Sequence, residues 1–181
     1  MEDRRAVKTK RAIRKAFLEL LEQKNINRIS VVEISKLADL GRGTFYLHYK
    51  DVYELMEHLE NELIDNLGEL YCASFHCDHT MNILKFTETL TQYMESNRKV
   101  FLVLARTDNG GRTMEKIKHF FHQKLLSDNS NVITELDVAE VLFSVAGVFG
   151  VLEAWLKDDM TTPYQSVSEM LHHVLIKLET C

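Results

Sequence analysis

The chain has 181 residues, 45% apolar and 27% charged, with three cysteines and one proline, which suits one or two helical globular domains and excludes a disordered or fibrous chain. No apolar run approaches the roughly 18–20 residues of a membrane helix, no apolar stretch follows the N-terminal MEDRRAVKTKR, and three cysteines make no complete disulfide framework, so a cytoplasmic protein is expected. The net charge of −5 conceals an asymmetry: residues 1–50 hold 12 basic against 6 acidic side chains, residues 51–181 hold 10 against 21, and a basic head on an acidic body points to a polyanion as the head's partner.

In segment 4–24, Ile13, Ala16, Phe17, Leu20 and Leu21 recur at helical spacing and predict an amphipathic helix, with Arg4, Arg5, Lys8, Arg11 and Lys15 largely off the apolar stripe. Asn25–Arg28 is a polar break. Ser30-Val-Val-Glu33 then matches a capping box with Ser30 as N-cap, and Ile29 and Ile34 hold the two positions of a hydrophobic staple. The helix so begun is short, because Asp39-Leu40-Gly41 follows; Ile34, Leu37 and Ala38 are its expected inner face. In the next stretch Phe45 and Tyr49, four apart, predict an anchored face that turns Arg42, Thr44, Tyr46, Leu47 and His48 wholly or partly outward. Such a mixture of donors, a hydroxyl and aromatics suits base edges and phosphates. A short helix, a tight turn and a second helix of this kind form a helix-turn-helix. Asp51 with Glu54 then opens a longer helix.

The stretch Ser30–Lys50, SVVEISKLADLGRGTFYLHYK, resembles the DNA-binding motif of the TetR (tetracycline repressor-like) family of bacterial regulators, and the likeness covers residues 5–60. The resemblance implies an all-α homodimer, with a three-helix DNA-binding domain over residues 1–50 and a helical effector-binding and dimerisation domain over residues 51–181. It implies double-stranded operator DNA and a small-molecule effector as partners, and repression as the usual outcome. By the same resemblance Thr44, Tyr46 and His48 fall where family members contact bases or phosphates. Arg42 and Leu47 fall at outward positions that tune specificity, Ser30 and Lys50 at phosphate contacts, and Gly43 within the same DNA-binding stretch. Two residues depart from the family pattern. Asp39 stands where glycine is usual, and Asp tolerates a left-handed backbone better than most residues. Gly41 stands where Ser or Thr is frequent, which keeps an acceptable N-cap but loses a side-chain phosphate contact.

Beyond residue 50 the sequence holds no phosphate-binding glycine loop, nucleophile elbow or HExxH, so neither an enzyme nor a cofactor is expected. Val52, Leu55, Leu59, Leu63, Leu67 and Leu70 carry the helix that follows to about residue 74; further helical patterns lie near 80–95, 97–106 and 111–126, with a loop over 127–131. Phe86, Met94, Phe101, Phe120 and Trp155 are the candidates for lining a ligand pocket. Segment 137–157 has one apolar stripe through Val138, Leu142, Val145, Phe149 and Leu152, and a second through Phe143, Gly147, Gly150 and Ala154. It is expected to be buried on both sides, with the small residues admitting a close helix. Thr162-Pro163 fits the start of a last helix. This pair resembles the family's dimerisation hairpin, which makes Phe143, Gly147, Gly150, Ala154, Met170, Leu171 and Val174 the expected dimer interface. Cys72, His76, Cys77 and His79 leave metal binding or redox sensing open, but their spacing matches no established zinc pattern and no metal site is expected. The alternative function is a helical sensor or co-regulator that works through protein contacts with a degenerate DNA head.

Overall fold

A computed structural model describes residues 4–74, 82–106, 110–128 and 134–179, and every regular element among them is helical. By its contacts the chain forms two compact units, Met1–Leu63 and Ile64–Cys181. The first holds α1 (Arg4–Leu21), a single 3-10 turn (Ile26–Arg28), α2 (Val31–Leu37), α3 (Arg42–Tyr46) and the first turns of α4 (Val52–Cys72). It extends past the end of the helix-turn-helix because Val52, Leu55 and Leu59 of α4 belong to its buried set, with Ile13, Phe17, Ile34 and Phe45 fully enclosed.

The start of α2 is fixed twice over. The Ser30 hydroxyl accepts the Glu33 amide at 3.3 Å while the Ser30 amide donates to the Glu33 carboxylate at 3.1 Å, and Ile29 and Ile34 are both buried. The inner face differs from the sequence expectation at one residue: Leu37 is 48% exposed and Ser35 is buried. At about 100° per residue, the direction midway between Ile34 and Ser35 passes close to Ala38 and leaves Leu37 about 110° away. Asp39 takes the left-handed conformation (φ 54°) at the turn, where the Leu40 amide reaches back to the Ser35 carbonyl at 2.9 Å.

The second unit holds the last turns of α4 with α5 (Ile83–Ser96), α6 (Arg98–Arg106), α7 (Gly110–Asp128), α8 (Glu135–Lys157) and α9 (Tyr164–Glu179). α5 lies along α9 and α7 along α8. The α5–α9 seam carries the buried hydroxyl residues Thr87, Thr91 and Ser168. Thr91 donates to the Thr87 carbonyl at 2.8 Å, Thr87 to the Leu84 carbonyl at 3.1 Å and Ser168 to Thr87 Oγ1 at 3.3 Å, so small polar groups allow a close approach without a desolvation penalty. Two consecutive left-handed residues, Asp159 and Met160 (φ 53° each), end α8. Arg98 of α6 donates to both of their carbonyls, Arg106 pairs with the Asp159 carboxylate at 2.6 Å, and the Trp155 indole donates to the Thr162 carbonyl at 2.8 Å. These contacts hold a backbone that L-residues otherwise avoid.

α8 corrects a sequence expectation. Over 18 of its residues the mean hydropathy reaches 1.7, so by length and composition it is apolar enough to cross a membrane; isolated acids such as Glu140 and Glu153 break up the apolar letters without lowering the average much. Nor is α8 covered on both sides within one chain. Val145, Phe149, Leu152 and Leu156 are buried, while Val138, Leu142 and Phe143 are exposed.

Candidate nucleic-acid interface and ligand cavity

In the first unit Gly41 is the N-cap of α3, and its extended backbone (φ −69°, ψ 144°) puts its carbonyl 2.9 Å from the Thr44 amide, with no side-chain cap. Phe45 is fully buried and Tyr49 nearly so, with ring centroids 5.7 Å apart, and this pair anchors the segment. α3 ends at Tyr46, and Leu47 and His48 form a closing turn in which the His48 and Tyr49 amides both reach the Phe45 carbonyl, at 2.9 and 3.0 Å. The anchoring rotates the remaining side chains outward: Tyr46 is 57% and Leu47 81% exposed, Arg42, Gly43 and Lys50 are exposed, and Thr44 and His48 are half-buried. Lys50 precedes a second cap, in which Asp51 accepts the Tyr53 and Glu54 amides at 2.9 Å each and Glu54 accepts the Lys50 amide.

Ser30 is exposed, but its hydroxyl and amide are both engaged by Glu33. An anion at this helix start therefore meets the first-turn amides of Val31 and Val32, which a helix leaves without internal partners, rather than Ser30 itself. The Lys24 ammonium is the main reason the Glu33 carboxyl falls to about 2, with the Ser30 hydroxyl and amide adding to it. Sequence reading missed Lys24, whose ion pair spans the 3-10 turn, and Tyr53, whose exposed hydroxyl donates to Asn27 Oδ1 at 3.2 Å. The DxxE pattern at Asp51 marks the cap that positions Tyr53, whereas nothing local marks Lys24.

In the second unit a cavity of about 160 Å3 is lined by Tyr71 of α4, Ile83, Phe86 and Leu90 of α5, Phe121 and Leu125 of α7, Ser144, Val145, Val148 and Phe149 of α8, and Leu175 of α9. Tyr71, Phe86 and Phe121 meet edge to face in a three-way cluster with centroids 5.8–6.0 Å apart. Of the five residues expected to line a pocket, Phe86 is on this wall. Met94 and Phe101 border a neighbouring void of about 10 Å3, room for a single water at most. Trp155 is held by its bond to Thr162. The Phe120 ring packs on Gly68 of α4, where a Cβ would come within 2.9 Å of its Cζ. The sequence missed Tyr71, Phe121 and Phe149 as a lining set because three helices bring them together.

The expected dimer residues divide. Phe143 (64% exposed), Gly147, Gly150 and Ala154 share one exposed face of α8, and Met170 and Val174 are exposed on α9, whereas Leu171 points into the chain's own core. A Cβ built at Gly147 or Gly150 meets nothing within 4 Å. Cys72 is exposed. His76, Cys77 and His79 lie outside the described residues, among which no group of three metal-binding side chains occurs.

Comparison with known proteins places this architecture. A TetR C-terminal family model, described as "Transcriptional regulator C-terminal region", matches residues 81–177. The chain belongs to the TetR family of transcriptional regulators. Among curated TetR-like relatives it is 24% identical over 163 residues to the HTH-type transcriptional regulator YxbF of Bacillus subtilis (87% of this chain, 42% of YxbF). It is 33% identical over 94 residues to the HTH-type transcriptional regulator AcrR of Shigella flexneri (50% of this chain, 42% of AcrR). The chain thus spans 42% of the length of each of these two relatives. Its fold is that of solved TetR-type structures. NalD of Pseudomonas aeruginosa, the secondary repressor of the MexAB-OprM multidrug efflux pump, superposes with a TM-score of 0.69 at 16% identity over 95% of this chain and 96% of NalD. A TetR/AcrR-type regulator of Aquifex aeolicus gives 0.67 at 21% identity over 94% and 99%.

Proposed function

We propose that this TetR-family regulator binds a palindromic operator as a cytoplasmic homodimer and releases it, as a repressor, when a small molecule occupies the second unit. The observation that carries the DNA reading is the outward set Arg42, Thr44, Tyr46, Leu47, His48 and Lys50, held by the buried Phe45–Tyr49 pair in the segment after the turn at Asp39. Gly43 leaves the backbone of that segment open, because a Cβ there would meet nothing within 4 Å. Tyr46, Thr44 and His48 read base edges, and Lys50 and the α2 amides take phosphates. The exposed apolar face of α8 and α9 pairs with its copy across a two-fold axis, as an isologous four-helix contact. That contact also explains why α8 is apolar beyond what one chain buries.

Effector and operator are coupled through α4, which runs unbroken from Val52 to Cys72 and contributes residues to both units. The coupling is about 1–3 kcal/mol, roughly 5–150-fold, and reciprocal. The test is selection of a duplex from random-sequence DNA by the full chain, followed by titration against that duplex and a scrambled one. A palindromic selected site bound more tightly than the scrambled duplex supports the reading. Equal, weak binding to every duplex sinks it in favour of a sensor that works through protein contacts.

A further inference from the structure

The cavity against Tyr71 has a chemistry narrower than "a small molecule". Its aromatic walls are Tyr71, Phe86, Phe121 and Phe149, and its other lining residues are aliphatic except for Ser144. Among the described residues, none that lines it is ionised at neutral pH. Burial, with the Asp128 carboxylate beside it, pushes the Tyr71 phenol above its ordinary range, so it stays protonated and donates to Asp128. Lys124, the nearby cation, is paired with that carboxylate at 3.1 Å and sits 5.9 Å from the centre of the Tyr71 ring. With Asp128 and Lys124 already paired to each other, a carboxylate or ammonium in the cavity would find no unpaired counter-charge among the described lining residues, and too few hydrogen-bond partners to replace its water. The volume is of the matching scale. An apolar cavity of about 150 Å3 lined by Leu, Ile and Phe stays dry and admits benzene, and this one measures about 160 Å3.

We infer that the second unit binds an uncharged, apolar molecule the size of one aromatic ring, seated against the Tyr71–Phe86–Phe121–Phe149 cluster. The inference rests on reading Ile64–Cys181 as an effector-binding unit, and it names the class of effector. Tyr71 is the residue through which such a guest bears on α4, because it is the α4 residue on the wall. Its ring meets Phe86 and Phe121 edge to face, and seating a guest among three rings shifts the one that α4 carries.

The experiment uses the full chain and three probes of nearly equal size: p-xylene, benzoate and benzylammonium. Thermal melts and calorimetric titration should show saturable stabilisation by p-xylene, with benzoate and benzylammonium at least about tenfold weaker. Val148→Phe fills the cavity from a half-buried position and should lose p-xylene binding by about tenfold or more while keeping its helical circular dichroism. Val148→Ala enlarges the cavity and should gain affinity for naphthalene relative to p-xylene, which keeps the test decisive if the Phe variant misfolds. Absence of p-xylene binding, equal binding of the charged probes, or unchanged affinity in both Val148 variants overturns the inference. No step uses DNA, so a protein that binds p-xylene in this pattern but no duplex supports the cavity assignment while sinking the regulator reading, and one that binds its operator but not p-xylene overturns the inference alone.

Discussion

Tyr46 and Lys50 lie in one short stretch but have different parts in the proposed DNA contact. Tyr46 projects from α3 with its ring braced edge to face on Phe45 at 5.7 Å, so it can hold one orientation against a base edge. Lys50 is exposed, with its backbone fixed by Glu54, and carries a point charge suited to phosphate. Tyr46→Ala should therefore weaken the selected duplex by about 1–3 kcal/mol and the scrambled duplex little. Lys50→Ala should weaken both alike and reduce the slope of log affinity against log salt by about one. Fluorescence anisotropy titrations at several salt concentrations read both effects, and an unchanged selected-site affinity in both variants removes the interface from this face. Glu33 offers a separate check through pH. Its carboxyl falls from an ordinary 4.5 to about 2 in the folded chain, held first by Lys24 and then by Ser30. A depressed acid stabilises the fold above its unfolded value and stops doing so below its folded one. The contribution is thus complete above pH 4.5 and is lost as pH falls from there to about 2. Thermal melts across that range should show a gap between the parent and Glu33→Gln that closes on acidification; a gap constant with pH would mean the carboxylate charge does not stabilise the cap.

At the scale of elements, the contact between α4 and α7 turns on one glycine. A glycine inside a helix usually costs about 0.5–1 kcal/mol relative to alanine. At Gly68 that cost is offset, because the absent Cβ leaves room for the Phe120 ring, which would otherwise lie 2.9 Å from it. Gly68→Ala should then fail to stabilise the chain in denaturant unfolding, while the same change in a Phe120→Leu background should recover the alanine gain. The cycle should show a coupling of about 1 kcal/mol or more. Equal stabilisation in both backgrounds would show that Phe120 rotates away without cost. The hydroxyl-lined seam of α5 on α9 and the Arg98 clamp on Asp159 and Met160 work in a similar way, with side-chain donors meeting backbone carbonyls where a close approach or a left-handed backbone demands it.

For the whole molecule, the proposed assembly rests on what one chain leaves uncovered. Leu142 and Phe143 of α8 and Met170 and Val174 of α9 are each half exposed or more, an apolar surface of the kind that marks an interface. Gly150→Glu tests it without touching the chain's own packing, since a Cβ there meets nothing within 4 Å and glutamate is the better helix former. Light scattering should show dimers for the parent chain and monomers for the variant, with the helical content unchanged. A variant that stays dimeric moves the interface to another face.

Local signals determined much of the first unit. The Ser30–Glu33 capping box, the Ile29–Ile34 staple, the Asp39 turn and the Phe45–Tyr49 anchor all appear in the structure where the sequence implies them, because each depends on residues at most five apart. The helical pattern of the second unit was legible for the same reason, since apolar spacing follows the helix repeat. Leu37 shows where that reading stops: in a helix of seven residues the inward direction is set by neighbouring helices, not by the apolar letters. The cavity lies further beyond it. Phe86 was within reach of composition, but the set of Tyr71, Phe121 and Phe149 exists because α4, α7 and α8 converge, and Met94, Phe101 and Trp155 went to packing instead. Whether an apolar residue becomes core, cavity wall or exposed face depends on which other helix comes to lie against it, and that is decided by tertiary packing alone.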